Sequence, residues 1–134
     1  MRSSFLVATG GGLGSVLRYW ISNWTHELNV TSMMFGLVDE KFPIGTLVVN
    51  VFGSFIIGLV AFWPRSPGDA DVRLFFMVGI CGGFTTFSSF SLQNLMLLHQ
   101  GHLKLAALNI GASVILCLLA VFLGYLVAAP FHAR

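Results

Sequence analysis

"CGGFTTFSSFSLQN", Cys81 to Asn94, sets two glycines, five hydroxyls, three phenylalanines and two amides in a stretch without charge. Whether it lies in water or in lipid decides the fold, and its flanks answer. No Asp, Glu, Lys or Arg occurs from Leu74 to Leu103, from Ile44 to Trp63, or from Leu105 to Ala133. Each run reaches the ~20 residues that a helix rising ~1.5 Å per residue needs to cross hydrocarbon. A fourth run, Phe5 to Trp24, holds one charge, Arg18. That side chain lies near the run's end and can reach the interface beside Trp20 and Trp24. Composition agrees: 56% apolar and 9% charged, where soluble domains have about 45–50% and 25%. The chain reads as an all-α integral membrane protein, a single membrane domain over 1–134 with four transmembrane helices.

The helices are expected at about 4–24, 43–63, 73–98 and 104–130. Arg2 before "FLVA" imitates a secretory signal, but the apolar run breaks at Thr9 and three glycines, so it reads as a retained first helix. Pro43 opens the second helix and "PRSPGD" closes it with turn chemistry. Within the third, Gly82 and Gly83 beside β-branched Thr85 and Thr86 weaken the helix, so a mid-span break is expected there. A break at membrane depth persists only where its backbone groups find partners or line a polar cavity. Single hydroxyls in such a helix often bond back to their own backbone; five together beside a break read as a pore lining. Phe87 and Phe90 share one helical face, with Asn94 a turn further along. Their electropositive ring edges can touch an anion without holding it tightly.

Basic residues divide almost evenly between the two faces: Arg2, Arg65, Arg73 and Arg134 against Arg18, Lys41 and Lys104. An even count gives the positive-inside rule nothing to act on. Either an unseen feature decides orientation, or both orientations insert and pair; dual topology with an antiparallel homodimer is the expectation, since a closed pair is the commonest assembly and four helices make a thin wall around a pathway. All five acids (Glu27, Asp39, Glu40, Asp69, Asp71) fall in expected loops. The membrane-depth carboxylate or histidine of a proton-coupled pump is therefore missing. His99 and His102 alone make a poor metal site. Cys81 and Cys117 read as free buried thiols. "GGGLG" at 10–14 does not fit GxGxxG and suits close helix packing instead. With nothing to activate its serines, the chain is not expected to be an enzyme.

Three motifs carry a resemblance. "GGFTTFSSFS" (82–91) resembles the signature of the Fluc-type fluoride channels, the CrcB family. "GTLVVNVFGSFIIG" (45–58) and "GGGLGSVLRY" (10–19) are similar to that family's second- and first-helix motifs. The resemblance spans the chain, more loosely over the fourth helix. It implies a passive fluoride-selective channel of the bacterial inner membrane, multi-pass, exporting cytoplasmic fluoride through two pores per antiparallel dual-topology dimer. It places Phe87, Phe90, Asn50, Thr46, Ser113, Asn109 and Gln93 on the fluoride path, and Arg18 in a vestibule. It also implies a structural sodium ion at the dimer centre on the backbone carbonyls of Gly82 and Thr85. The expected partners are fluoride, membrane lipid and a second copy of the chain, with no nucleic acid. The chain departs from the family at Gln93, where many members carry an acid, at Ser89 for a common Thr, and at Cys117 for a serine. A small secondary transporter and a non-conducting membrane subunit are the rival readings. Phe84 is expected to pack against lipid or protein, and Asn50 alternatively to glue helices by a hydrogen bond.

Overall fold

The computed structural model describes residues 1–27, 42–64 and 69–132. The long linker, with Asp39, Glu40 and Lys41, and the positions of Arg65 and Arg134 lie outside them. The described residues are helical almost throughout. Helix α1 spans Arg2–Glu27 and α2 spans Ile44–Phe62. Helix α3 is built in series from an α-helical turn at Asp69–Arg73, a π-helical stretch at Leu74–Cys81 and a last turn at Gly82–Phe84. After a break come α4, Phe87–His99, and α5, Leu103–His132.

Among the described residues three stretches are long and apolar enough to cross a membrane: Ile44–Phe62, Asp69–His99 taken through its break, and Leu103–Phe131. Four were expected. Helix α1, at 26 residues, is long enough, but its four glycines, four serines and two arginines dilute its apolar content. Gly10 and Gly14 serve packing instead.

The chain runs up and down. Arg2 pairs with Asp71 at 2.6 Å, so the start of α1 meets the start of α3. The Arg73 guanidinium donates to the Ala61 carbonyl at 2.7 Å, capping the end of α2 at that same face. Gly45 opens α2 against Ser22 and Thr25 near the end of α1, which makes those two helices antiparallel. Trp63 stacks on Phe131 and Phe62 meets Tyr125 edge-on, at 5.0 and 4.8 Å between centroids, so α2 and α5 run parallel.

Close approach is bought by missing side chains. A Cβ on Gly83 would strike the Gly11 carbonyl, and one on Gly14 the Ile80 carbonyl. Helices α1 and α3 therefore touch backbone to backbone, as small residues allow in lipid, where apolar burial gives helices little reason to associate. The α2–α5 seam repeats the device at Gly58 and Gly124. Helix α4 ends in a Schellman turn: His102 N–H reaches the Leu97 carbonyl at 2.8 Å and Gly101 N–H reaches Leu98 at 3.0 Å. Gly101 takes the φ of 84° that such a turn requires.

Candidate functional site

The break in the third span falls at Thr85 and Thr86, both extended, with φ/ψ of −78°/154° and −149°/112°. Glycines and β-branched threonines together were expected to break the helix here; the break falls at the threonines, while Gly82 keeps helical angles of −64° and −38°. The threonines part the helix, and the α1 contact at Gly83 holds the segment before them.

A side chain from α2 closes the gap. Asn50 Oδ1 accepts from Thr86 N–H at 2.8 Å, and Asn50 Nδ2 donates to the Thr86 carbonyl at 3.3 Å. One amide thus takes the place of a helical neighbour on both sides of a residue. Thr86 also caps α4, its Oγ1 accepting from Ser89 N–H at 3.2 Å, with the Ser88 and Ser89 hydroxyls at 3.2 and 3.1 Å. Two carbonyls lose their helical donors by these diversions. Gly82 would have received Thr86 N–H, now turned to Asn50; Thr85 would have received Ser89 N–H, now turned to Thr86 Oγ1. The Gly83 carbonyl instead accepts from Ser15 of α1 at 3.4 Å. Back-bonding accounts for other hydroxyls: Thr85 Oγ1 to the Cys81 carbonyl at 2.8 Å and Ser91 to Phe87 at 2.9 Å.

A cavity of about 390 Å³ opens on this break. Of the residues singled out in the sequence, Asn50, Gly82, Thr85, Phe87, Phe90 and Ser113 line it. The Phe87 and Phe90 rings lie 5.4 Å apart at 39°, and Phe87 is 78% exposed on the single chain. Thr46, Gln93, Asn109 and Arg18 are not in the lining. Thr46 is buried a turn before Asn50, and Arg18 is half-buried on α1. Asn109 is 2% exposed, behind Ser113. Gln93 holds its Oε1 buried, with no hydrogen-bond partner among the described residues. Thr86, Cys81 and Cys117, named in the sequence for other reasons, also line it, and Ser54 and Met77 are new. Ser54, four residues after Asn50, was legible from helical spacing alone. Phe84 is 6% exposed and packs inside the protein beside Gly53.

The wall therefore offers an amide hydrogen, hydroxyl groups, a helix N-terminus and aromatic rings. No Asp, Glu, His, Lys or Arg side chain lines it. Such a surface suits a small anion in transit better than a reaction. Among the described residues no cluster of three His, Cys, Asp or Glu side chains forms a metal site.

Residues 5–125 match the family model described as CrcB-like protein, Camphor Resistance (CrcB). The chain is similar to several curated proteins named fluoride-specific ion channel FluC. That of Rhodospirillum rubrum is 47% identical over 123 residues, covering 89% of this chain and 88% of the relative. That of Methylobacterium radiotolerans is 47% identical over 131 residues, covering 95% and 85%. That of Paramagnetospirillum magneticum is 50% identical over 127 residues, covering 92% of each.

Proposed function

The chain belongs to the CrcB family, and from that premise we propose how it works as a fluoride-specific ion channel of the bacterial membrane. It is a channel, not an enzyme. Conduction is passive and exports cytoplasmic fluoride. The observation that carries the reading is the cavity in which Asn50, Ser113 and the Phe87–Phe90 pair meet the broken helix.

Fluoride is small and tightly hydrated, so leaving water requires close donors along the way. Asn50 Nδ2 spends one hydrogen on Thr86 and carries a second; that second hydrogen is the donor for the ion. Ser113 offers a hydroxyl across the cavity. The ring edges of Phe87 and Phe90 complete the lining with weak positive potential, which lets the ion leave again. Thr46, Asn109, Gln93 and Arg18, outside the lining, flank this path.

The whole of 1–134 acts as one membrane domain with four spans, α1 included, in antiparallel dual-topology homodimers with two pores. Two features support a second copy. The Phe87 ring and Gly82 are exposed on a single chain, and the Gly82 and Thr85 carbonyls have lost their helical donors at membrane depth, a costly state in lipid. Those residues fit a sodium ion. Two carbonyl oxygens from each of two chains would give four, an all-oxygen set of the kind that interrupted helices offer to alkali cations. Bound there, sodium would supply the positive charge that compensates the acceptors.

The test is fluoride efflux from liposomes holding the purified chain alone, with chloride as control. Fluoride should leave quickly and chloride stay. Retention of fluoride would return the chain to the class of non-conducting subunits, and comparable chloride loss would reject selectivity.

A further inference from the structure

Behind the cavity wall lies a chain of three buried hydrogen bonds with one direction. Asn94 Nδ2 donates to the Phe90 carbonyl at 2.8 Å, Asn109 Nδ2 to Asn94 Oδ1 at 3.0 Å, and Ser113 Oγ to Asn109 Oδ1 at 3.5 Å. Asn94, Asn109 and Ser113 are 5%, 2% and 7% exposed. The direction is forced from one end. A backbone carbonyl can only accept, so the Asn94 group facing Phe90 must be its NH2. Its oxygen then faces Asn109, whose own NH2 must answer it. The Asn109 oxygen is left facing Ser113, whose hydroxyl donates to it at 3.5 Å. The serine thus turns lone pairs, not a hydrogen, toward the cavity that it lines.

We propose that Asn94 and Asn109 are positioning residues that set the Ser113 hydroxyl, so that an anion is held there only by drawing the hydrogen off Asn109. The inference rests on the fluoride-channel reading above and adds a specificity device to it. The bond to be broken is the longest of the three and lies at the limit for a hydrogen bond. A neutral acceptor such as water competes with the Asn109 oxygen on even terms, whereas an anion forms a bond about twice as strong as a neutral one. Ser113 therefore offers water an acceptor and an anion a donor. Asn94 touches no ion; it acts through Asn109.

Four proteins measured for liposome fluoride efflux at low fluoride decide it: wild type, Asn94→Leu, Ser113→Ala and the double variant. Without Asn94 the Asn109 amide is free to turn its NH2 to the Ser113 oxygen, which leaves the hydroxyl hydrogen for the cavity. Efflux in Asn94→Leu should rise about threefold to tenfold, the worth of one net hydrogen bond. In the Ser113→Ala background the same change should do nothing. An equal factor in both backgrounds, or no rise in Asn94→Leu, overturns the proposal, since a structural role moves both alike. Full efflux in Ser113→Ala removes the serine from the path, and the proposal with it, yet leaves the channel reading intact. No efflux from wild type rejects that reading itself. Should Asn94→Leu fail to elute as a folded species, Asn109→Leu removes the Ser113 acceptor itself and closes the same cycle.

Discussion

At Asn50 two roles meet in one side chain, and substitution separates them. Asn50→Leu leaves Thr86, 8% exposed, without either bond to the Asn50 amide. One unsatisfied buried backbone group costs about 1–3 kcal/mol, so a fall in melting temperature of the purified protein should accompany loss of efflux. An unchanged melting temperature would mean that the break is held by other contacts. The phenylalanines behave otherwise. Phe87 and Phe90 line the cavity, and Phe87 is mostly exposed. Phe87→Ile or Phe90→Ile should therefore give folded protein by size exclusion with little fluoride efflux. Phe122→Ile, on an exposed position of α5, should conduct as wild type. Full efflux in both cavity variants would reject the aromatic contact. Phe84 is no control, despite sharing the motif, because it is buried. Spacing made Phe87 and Phe90 legible and, four residues after Asn50, could have found Ser54, which was missed; nothing in the sequence tells that Asn109 sits behind Ser113, since that depends on how far α4 stands from α5.

Among the elements, α3 departs most from what its residues lead one to expect. Gly82, Gly83, Thr85 and Thr86 together marked the weak point; the two glycines stay helical and the chain parts at Thr85–Thr86. Intrinsic propensity lost to packing: Gly83 lies against the backbone of α1, and that contact holds its turn. The π-helical stretch at Leu74–Cys81 had no signal at all, because an apolar run has the same composition in either helical form. Spans without charge were plain, by contrast, since lipid forbids buried ions far more strictly than it specifies turns. A graded test of the glycine seam follows. Gly14→Ala and Gly83→Ala drive a methyl into backbone carbonyls of the facing helix. They should lower the melting temperature clearly, with overpacking worth about 1–3 kcal/mol. Gly12→Ala meets nothing within 4 Å and should be neutral or raise it, as alanine is the better helix former by about 1 kcal/mol. Equal effects at all three sites would count against the seam.

The molecule as a whole is judged by how it sits in the bilayer and what it pairs with. Arg2 and Arg73 mark one face of the bundle, Arg18 and Lys104 lie toward the other, and the near-even division gives insertion no preferred sense. C-terminal reporters active on only one side of the membrane should each label a population; labelling from one side alone would refute dual topology. Gly82→Ala probes the pairing. Its added methyl meets nothing closer than 4.0 Å within the chain, so the monomer fold should be unmoved while the proposed dimer centre is not. Lower efflux with normal folding, eased by raising sodium, is the expected outcome, and wild-type efflux independent of sodium would dismiss a cation at that carbonyl. The clamp on the broken helix, finally, carries a consequence for how the chain is made. Asn50 precedes Thr86 by 36 positions, so during synthesis from the N-terminus the residue that will seal the gap leaves the ribosome first. The interrupted segment then enters the bilayer beside a waiting amide and need never meet lipid with its backbone bare. A permuted chain with α2 moved behind α3 would keep every contact of the finished protein and lose that protection, and its yield in cells should show the difference.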